Sequence, residues 1–232
     1  MMWSWIPSNA ALIRQLTLES AYLGIVPALL GLVISVPLGI ACARWKWFYP
    51  PVLSAASILY ALPSLALFIV LIPYTGITDT TVIIPLTLFS LCVLVPNVVD
   101  GMRSVPEPVR QAATAMGFGA LRRLVQVELP IAVPIVIAGL RVAVVSSISL
   151  ASVGQLIGVS SLGYLFTDGF QRDFPTEIVV GGVLVIALAL VCDLLLVLAT
   201  RLLTPWRPRR SRRAARDLAI GQPAAVLSGG AG

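Results

Sequence analysis

The chain has no histidine, a single lysine (Lys46) and three cysteines, and only 11% of its 232 residues are charged. Each scarcity closes off a class of function. Without histidine there is no His-centred catalytic triad, no H-E-x-x-H metal site and no histidine proton relay. No G-x-x-x-x-G-K-[ST] stretch occurs, so the chain does not hold a nucleotide in the P-loop manner. Cys42, Cys92 and Cys192 fall in or at the end of apolar runs without paired spacing, which reads as apolar packing in place of a disulfide or metal site. No catalytic residues, metal ligands or cofactor site of its own are expected. A soluble domain carries roughly a quarter charged residues. At 58% hydrophobic and mean hydropathy +0.97, this chain is of another class.

What it has in abundance is long apolar runs. One lies between Glu19 and Arg44, one between Tyr49 and Asp79 and one between Thr80 and Val99. Two more cover Ile131 to Thr167, interrupted by Arg141, and Ile178 to Thr200, interrupted by Asp193. Each supplies the roughly 20 residues needed to cross a hydrocarbon core of about 30 Å. The reading is an all-α integral membrane protein with about five transmembrane helices; the fourth run is long enough to include a broken or re-entrant segment. Thirteen of the 16 basic residues fall after the first run, between the third and fourth, or after the fifth. By the positive-inside rule those regions are cytoplasmic, which puts the N terminus outside and the C terminus inside. The expected divisions are an external segment 1–16, a membrane domain 17–204 with a cytoplasmic loop 101–130, and a basic tail 205–232. The end of that tail, "GQPAAVLSGGAG", is predicted to be disordered. Its arginine-rich first half reads as an anchor near anionic lipid. Trp3, Trp5, Trp45, Trp47, Tyr49 and Trp206 read as interfacial aromatics.

The loop is the least membrane-like part. Ser104 and Glu107 stand at capping-box spacing, and Pro106 and Pro108 suit a first helical turn. A helix is predicted to about Met116, with a turn at Gly117-Phe118-Gly119 where positive φ is tolerated. A second helix follows, with Leu121, Leu124 and Val125 on one face and Arg122 and Arg123 on another, ending at Leu129-Pro130. Such a pair could lie on the lipid surface, or its apolar face could fill a groove on a soluble partner with the arginines at the rim.

Here "RQAATAMGFGALRRLVQVELP" resembles the EAA loop of the inner-membrane permeases of ABC importers: E-A-A, three residues, Gly, nine residues, I-x-L-P. Gln111, Ala112 and Ala113 occupy the first positions, Gly117 the glycine, and Val127, Leu129 and Pro130 the closing motif. Gln111 stands where the pattern has an acid, and Val127 where it has isoleucine. The stretches "YALPSLALFIVLIPYTGI", "LPIAVPIVIAGLRVAVVSSISLASVGQLIG" and "SSLGYLFTDGF" are similar to the osmoprotectant branch of that family, so the resemblance spans about residues 60–170. It implies a type I importer permease fold and transport of glycine betaine, choline, carnitine or proline-betaine. It also implies partners: ABC ATPase subunits that bind the ATP, an extracytoplasmic substrate-binding protein, and a second permease chain that is a copy or a paralogue. The loop would be the ATPase-coupling element. A methionine-type permease, a membrane scaffold with an amphipathic loop, and a proton-coupled carrier are the competing readings. Scarce intramembrane carboxylates weigh against the last.

Tyr60, Pro63, Ser64, Ser146, Ser149 and Gln155 are candidate pathway residues, with neighbouring Ser147 and Ser152. Helix–helix hydrogen bonding and close packing account for the serines equally well. Prolines 63, 85 and 96 are expected to bend their spans. Arg141 lies 11 residues beyond Pro130 and Asp193 eight before Arg201, about 16 and 12 Å along a helix. Their similar depth predicts an intramembrane ion pair; snorkelling of Arg141 and a protonated Asp193 are the alternatives.

Overall fold

The computed structural model describes residues 5–203. A single turn, α1 (Trp5–Ser8), leads into α2 (Ala10–Arg44). That helix runs through Pro27 and Pro37 without a break, and residue 16 lies well inside it. At 35 residues it is about 52 Å long. α5 (Asp79–Arg103) and α8 (Leu129–Ala151) pack against α2 to make the centre of the molecule. Close approach is what the sequence arranges here. A Cβ at Gly31 of α2 would stand 2.7 Å from Ser90 Cβ of α5, closer than non-bonded carbons approach. Helices in lipid associate through such small residues because no water is expelled between them to drive association.

The second apolar run is two helices, α3 (Tyr49–Ala61) and α4 (Ser64–Thr75), bent by 91°. Pro63 forbids the helical conformation at the residue before it, and Leu62 accordingly sits at ψ 134°. The sequence predicted a loosened span; the structure has a corner. Beyond α8 the fourth run also breaks. A 3₁₀ segment (Ser152–Ile157) ends on Gly158 at φ +90°, and the chain turns back through α9 (Gly163–Gln171). The buried Ser20 hydroxyl of α2 accepts the Leu162 backbone N–H at 2.7 Å and pins that return. The last span, α10 (Pro175–Leu203), lies on α8 and α9 and leaves Val179, Val183, Ile186, Leu190, Leu194 and Leu198 uncovered, as a lipid-facing helix does. Among the described residues, four helices are long and apolar enough to cross a membrane, or five counting the bent pair as one span.

At the α9–α10 turn Arg172 donates to Asp168 at 2.8 Å. That hydrogen bond, with the carboxylate's charge, holds the guanidinium above its usual pKa. The cysteines are free; Cys42 and Cys192 are buried, and Cys92 donates to the Ala56 carbonyl across α3 and α5.

Candidate coupling loop and intramembrane pair

The loop begins where α5 stops. Ser104 turns its hydroxyl back onto the Gly101 carbonyl at 2.7 Å and makes no capping box with Glu107. The helix that follows, α6 (Glu107–Ala115), starts at Pro106 in extended backbone, whose carbonyl accepts the first helical N–H groups. Proline overrides the capping box because its fixed φ and the bias it places on Val105 already set the entry to the helix. Gln111 and Ala112 face solvent, while Ala113 is buried under the loop.

α6 closes with a Schellman motif. The Gly117 N–H bonds the Thr114 carbonyl at 3.0 Å, and the Phe118 N–H bonds the Ala113 carbonyl at 3.1 Å. Gly117 takes φ +81°, and a Cβ there would meet nothing within 4 Å. The glycine is therefore required by backbone conformation and not by crowding.

The second short helix, α7 (Ala120–Arg123), does not end at Leu129-Pro130 as the sequence predicted. It continues through a π turn (Leu124–Glu128) directly into α8. Pro130 has no N–H for the Gln126 carbonyl, and its ring would strike that group in a regular helix; widening the turn relieves the conflict. The Leu129 N–H accordingly reaches back five residues to the Leu124 carbonyl.

The expected faces are redistributed by this turn. Leu124 packs with Val98, Met102 and Ala132, and Leu129 joins the same cluster; Val127 is half-buried. Leu121 and Val125 are 74% and 53% exposed, and Met116 is 69% exposed, so an apolar patch stands free on the loop. Arg122 stays outside, its guanidinium over the Phe118 ring at 4.6 Å. Arg123 is not a rim residue: it turns inward to Glu128, Nε to Oε1 at 2.9 Å. Glu128, only 7% exposed, is a buried charge to which the sequence reading gave no role. An acid in a basic loop, one helical turn from Leu124 and beside the apolar Val127 and Leu129, was its signal.

Arg141 and Asp193 are brought together. Nε donates to Oδ1 at 2.6 Å and Nη2 to Oδ2 at 2.7 Å, a two-pronged contact between α8 and α10 within one chain. The pathway candidates do not converge in this way. Tyr60 is exposed on α3, its ring edge-on to Phe89 at 6.0 Å, beside a cavity of about 320 Å³. Pro63 and Ser64 form the α3–α4 corner. Ser146 is half-buried, and exposed Ser149 donates to the Val145 carbonyl one turn back. Ser147 faces Ser90 at 3.3 Å, a helix–helix contact. Gln155 has its Oε1 buried without a hydrogen-bond partner. Among the described residues no hydrogen bond joins any two of the six candidates. Trp3, Trp206 and the tail 205–232 lie outside the described residues.

The described residues thus form a polytopic helical protein with a polar helix–glycine–helix element between α5 and α8. The chain belongs to the family of binding-protein-dependent transport system inner membrane components, whose model matches residues 35–208. It is 34% identical over 202 residues to the osmoprotectant import permease protein OsmW of Salmonella typhimurium, covering 85% of this chain and 94% of that protein. The glycine betaine/carnitine/choline transport system permease protein OpuCB of Bacillus subtilis is 29% identical over 204 residues, covering 88% and 94%. In fold the chain is similar to the inward-facing MetNI methionine ABC transporter, with a TM-score of 0.74 at 20% identity over 85% of this chain and 98% of that one. It is a multi-pass membrane transport component.

Proposed function

We propose that this chain is the permease subunit of an ATP-driven importer for a compatible solute, a quaternary ammonium compound such as glycine betaine, choline, carnitine or proline-betaine. The loop side is cytoplasmic, the N terminus is external, and ATP is bound and hydrolysed by separate ABC ATPase subunits. A second permease chain, identical or paralogous, completes the pathway, and an external binding protein delivers the solute. The permease needs no cofactor of its own.

The observation that carries this reading is the loop itself. Two short helices meet at a glycine with obligatory positive φ and hold Met116, Leu121 and Val125 out in water. A single-chain protein gains nothing by that exposure, whereas a helix pair with an apolar patch flanked by Arg122 fits a groove on a soluble partner. The solute class is supported by the names of two relatives, an osmoprotectant import permease protein and a glycine betaine/carnitine/choline transport system permease protein. The likeness to a methionine transporter is one of fold.

The test is uptake into proteoliposomes holding this chain with its ATPase and binding protein. ATP-dependent uptake of labelled betaine or choline is expected, lost in Gly117→Trp. Uptake of methionine alone would keep the importer and overturn the solute class. No ATP-dependent uptake of either would overturn the importer.

A further inference from the structure

The covalent links between the loop and the membrane helices are weak places for transmitting force. α6 hangs from α5 by Ser104, Val105 and Pro106, and from α7 by Gly117, Phe118 and Gly119. A push delivered to α6 through these joints alone would be absorbed by rotation about them. Side chains bridge both joints. Arg110, on α6, donates through Nη2 to the Met102 carbonyl, in the last turn of α5. Its Nε lies 3.9 Å from Glu128 Oε1, at the root of α8, and its Nη1 lies 4.0 Å from Glu107. Arg123 takes the same Glu128 oxygen at 2.9 Å and reaches across to Thr114 of α6 with Nη1 at 2.8 Å.

Geometry makes Glu128 the common anchor. The π turn adds one residue to the helical repeat, which sets Arg123 over Glu128 five residues on. The carboxylate is buried among Leu124, Met102 and Ala43 at a cavity of about 220 Å³ that Arg44, Arg110 and Arg123 also line. Glu128 accepts a hydrogen bond from Arg123, and the buried Arg110 Nε, which has no hydrogen-bond partner, has this carboxylate as its nearest counter-charge, so removing the acid would leave the arginines uncompensated. Just beyond it, α5 and α8 are in contact at Gly101 and Ala132, where a Cβ on the glycine would come within 3.2 Å.

We propose that Arg110, anchored by Glu128, is the positioning residue that fastens the coupling helix α6 to both α5 and α8. A displacement of the loop then reaches the two helix ends together and is not lost at the Ser104–Pro106 and Gly117–Gly119 joints. Arg123 and Thr114 brace the same clamp from α7. Gln111, whose side chain is exposed, takes no part in it. This inference rests on the loop being an ATPase-coupling element, as proposed above.

The test uses the whole complex in proteoliposomes, measuring ATP hydrolysis stimulated by loaded binding protein alongside solute uptake. Arg110→Gln and Glu128→Gln are expected to keep hydrolysing ATP while the ATP spent per solute rises roughly 2- to 30-fold, the range for residues along a coupling network. Arg110→Lys, which keeps the charge but cannot reach two partners at once, should lie between them and wild type. Where a single variant fails to assemble, Arg110→Gln/Glu128→Gln removes both charges and leaves only Arg123, 28% exposed and still donating to Thr114, without its carboxylate; it should uncouple to the same degree as the worse single variant. A wild-type ratio in the double variant overturns the clamp, as does a proportional fall of hydrolysis and uptake, which is what mere loss of folded complex produces. Absence of ATP-driven uptake in the wild-type complex overturns instead the transport reading beneath it.

Discussion

Breaking the Arg141–Asp193 pair is the most informative single perturbation of the membrane domain. The two charges meet at 2.6 and 2.7 Å between α8 and α10, roughly 18 and 15 Å from the Leu129 and Leu203 ends of their helices. Arg141→Ala leaves Asp193 without its partner in a hydrocarbon setting, and Asp193→Ala does the converse. An unpaired charge at that depth costs about 2.5–3.5 kcal/mol on the insertion scale. That corresponds to roughly 70- to 400-fold in the folded population. The side chains are 38% and 29% exposed, so each orphaned head retains some freedom to move toward a more polar level, and the lower end of that range is expected. The assay is reversible unfolding in mixed micelles, followed by intrinsic tryptophan fluorescence. Arg141→Asp/Asp193→Arg should recover at least half of the loss, because the swap restores a pair at the same level. A swap as damaging as both single changes added together would refute the pairing argument, and so would single changes without effect.

Three further outcomes follow from particular contacts. Gly117→Ala should destabilise the loop by about 1–2 kcal/mol, the cost of a left-handed non-glycine residue, and Gly117→Trp should cost the fold no more, since a Cβ there meets open space; proteolysis of the loop would measure both, and a much larger loss for Trp would contradict the geometry. Ser20→Ala strips the buried Leu162 N–H of its acceptor and should cost about 1–3 kcal/mol, with faster hydrogen exchange at Leu162; unchanged exchange would count against the pin. Gly31→Val drives a side chain into Ser90 at the α2–α5 crossing and should lower stability by about 1–3 kcal/mol, read from detergent unfolding, whereas a neutral result would mean the helices are free to part.

Much of this molecule is legible in its sequence, for reasons that differ by element. The spans are legible because lipid leaves the backbone no alternative to a helix, so apolar length alone locates α2, α5, α8 and α10. Gly117 is legible because positive φ at a helix end almost demands glycine. The Arg141–Asp193 contact is legible because a charge in lipid must find a partner, and only one acid lay at the right depth. Other features depend on geometry that sequence does not carry. Pro63 announces a bend but not a 91° corner. A regular helix puts Arg122 and Arg123 side by side on the surface; the π turn before Pro130 is what carries Arg123 inward to Glu128. Ser104 and Glu107 have capping-box spacing, yet Pro106 enters the helix on its own terms. The pathway candidates were drawn from polar side chains in apolar runs. That signal is shared by helix-packing residues, as the Ser90–Ser147 contact illustrates.

The central claim, that the loop couples this chain to a soluble ATPase, is tested most directly by a photo-crosslinking amino acid at exposed Gln111. In native membranes it is expected to label one soluble subunit of ATPase size, with a yield that changes when a non-hydrolysable ATP analogue is added. Labelling of lipid alone, unchanged by nucleotide, would place α6 on the membrane surface and contradict the account.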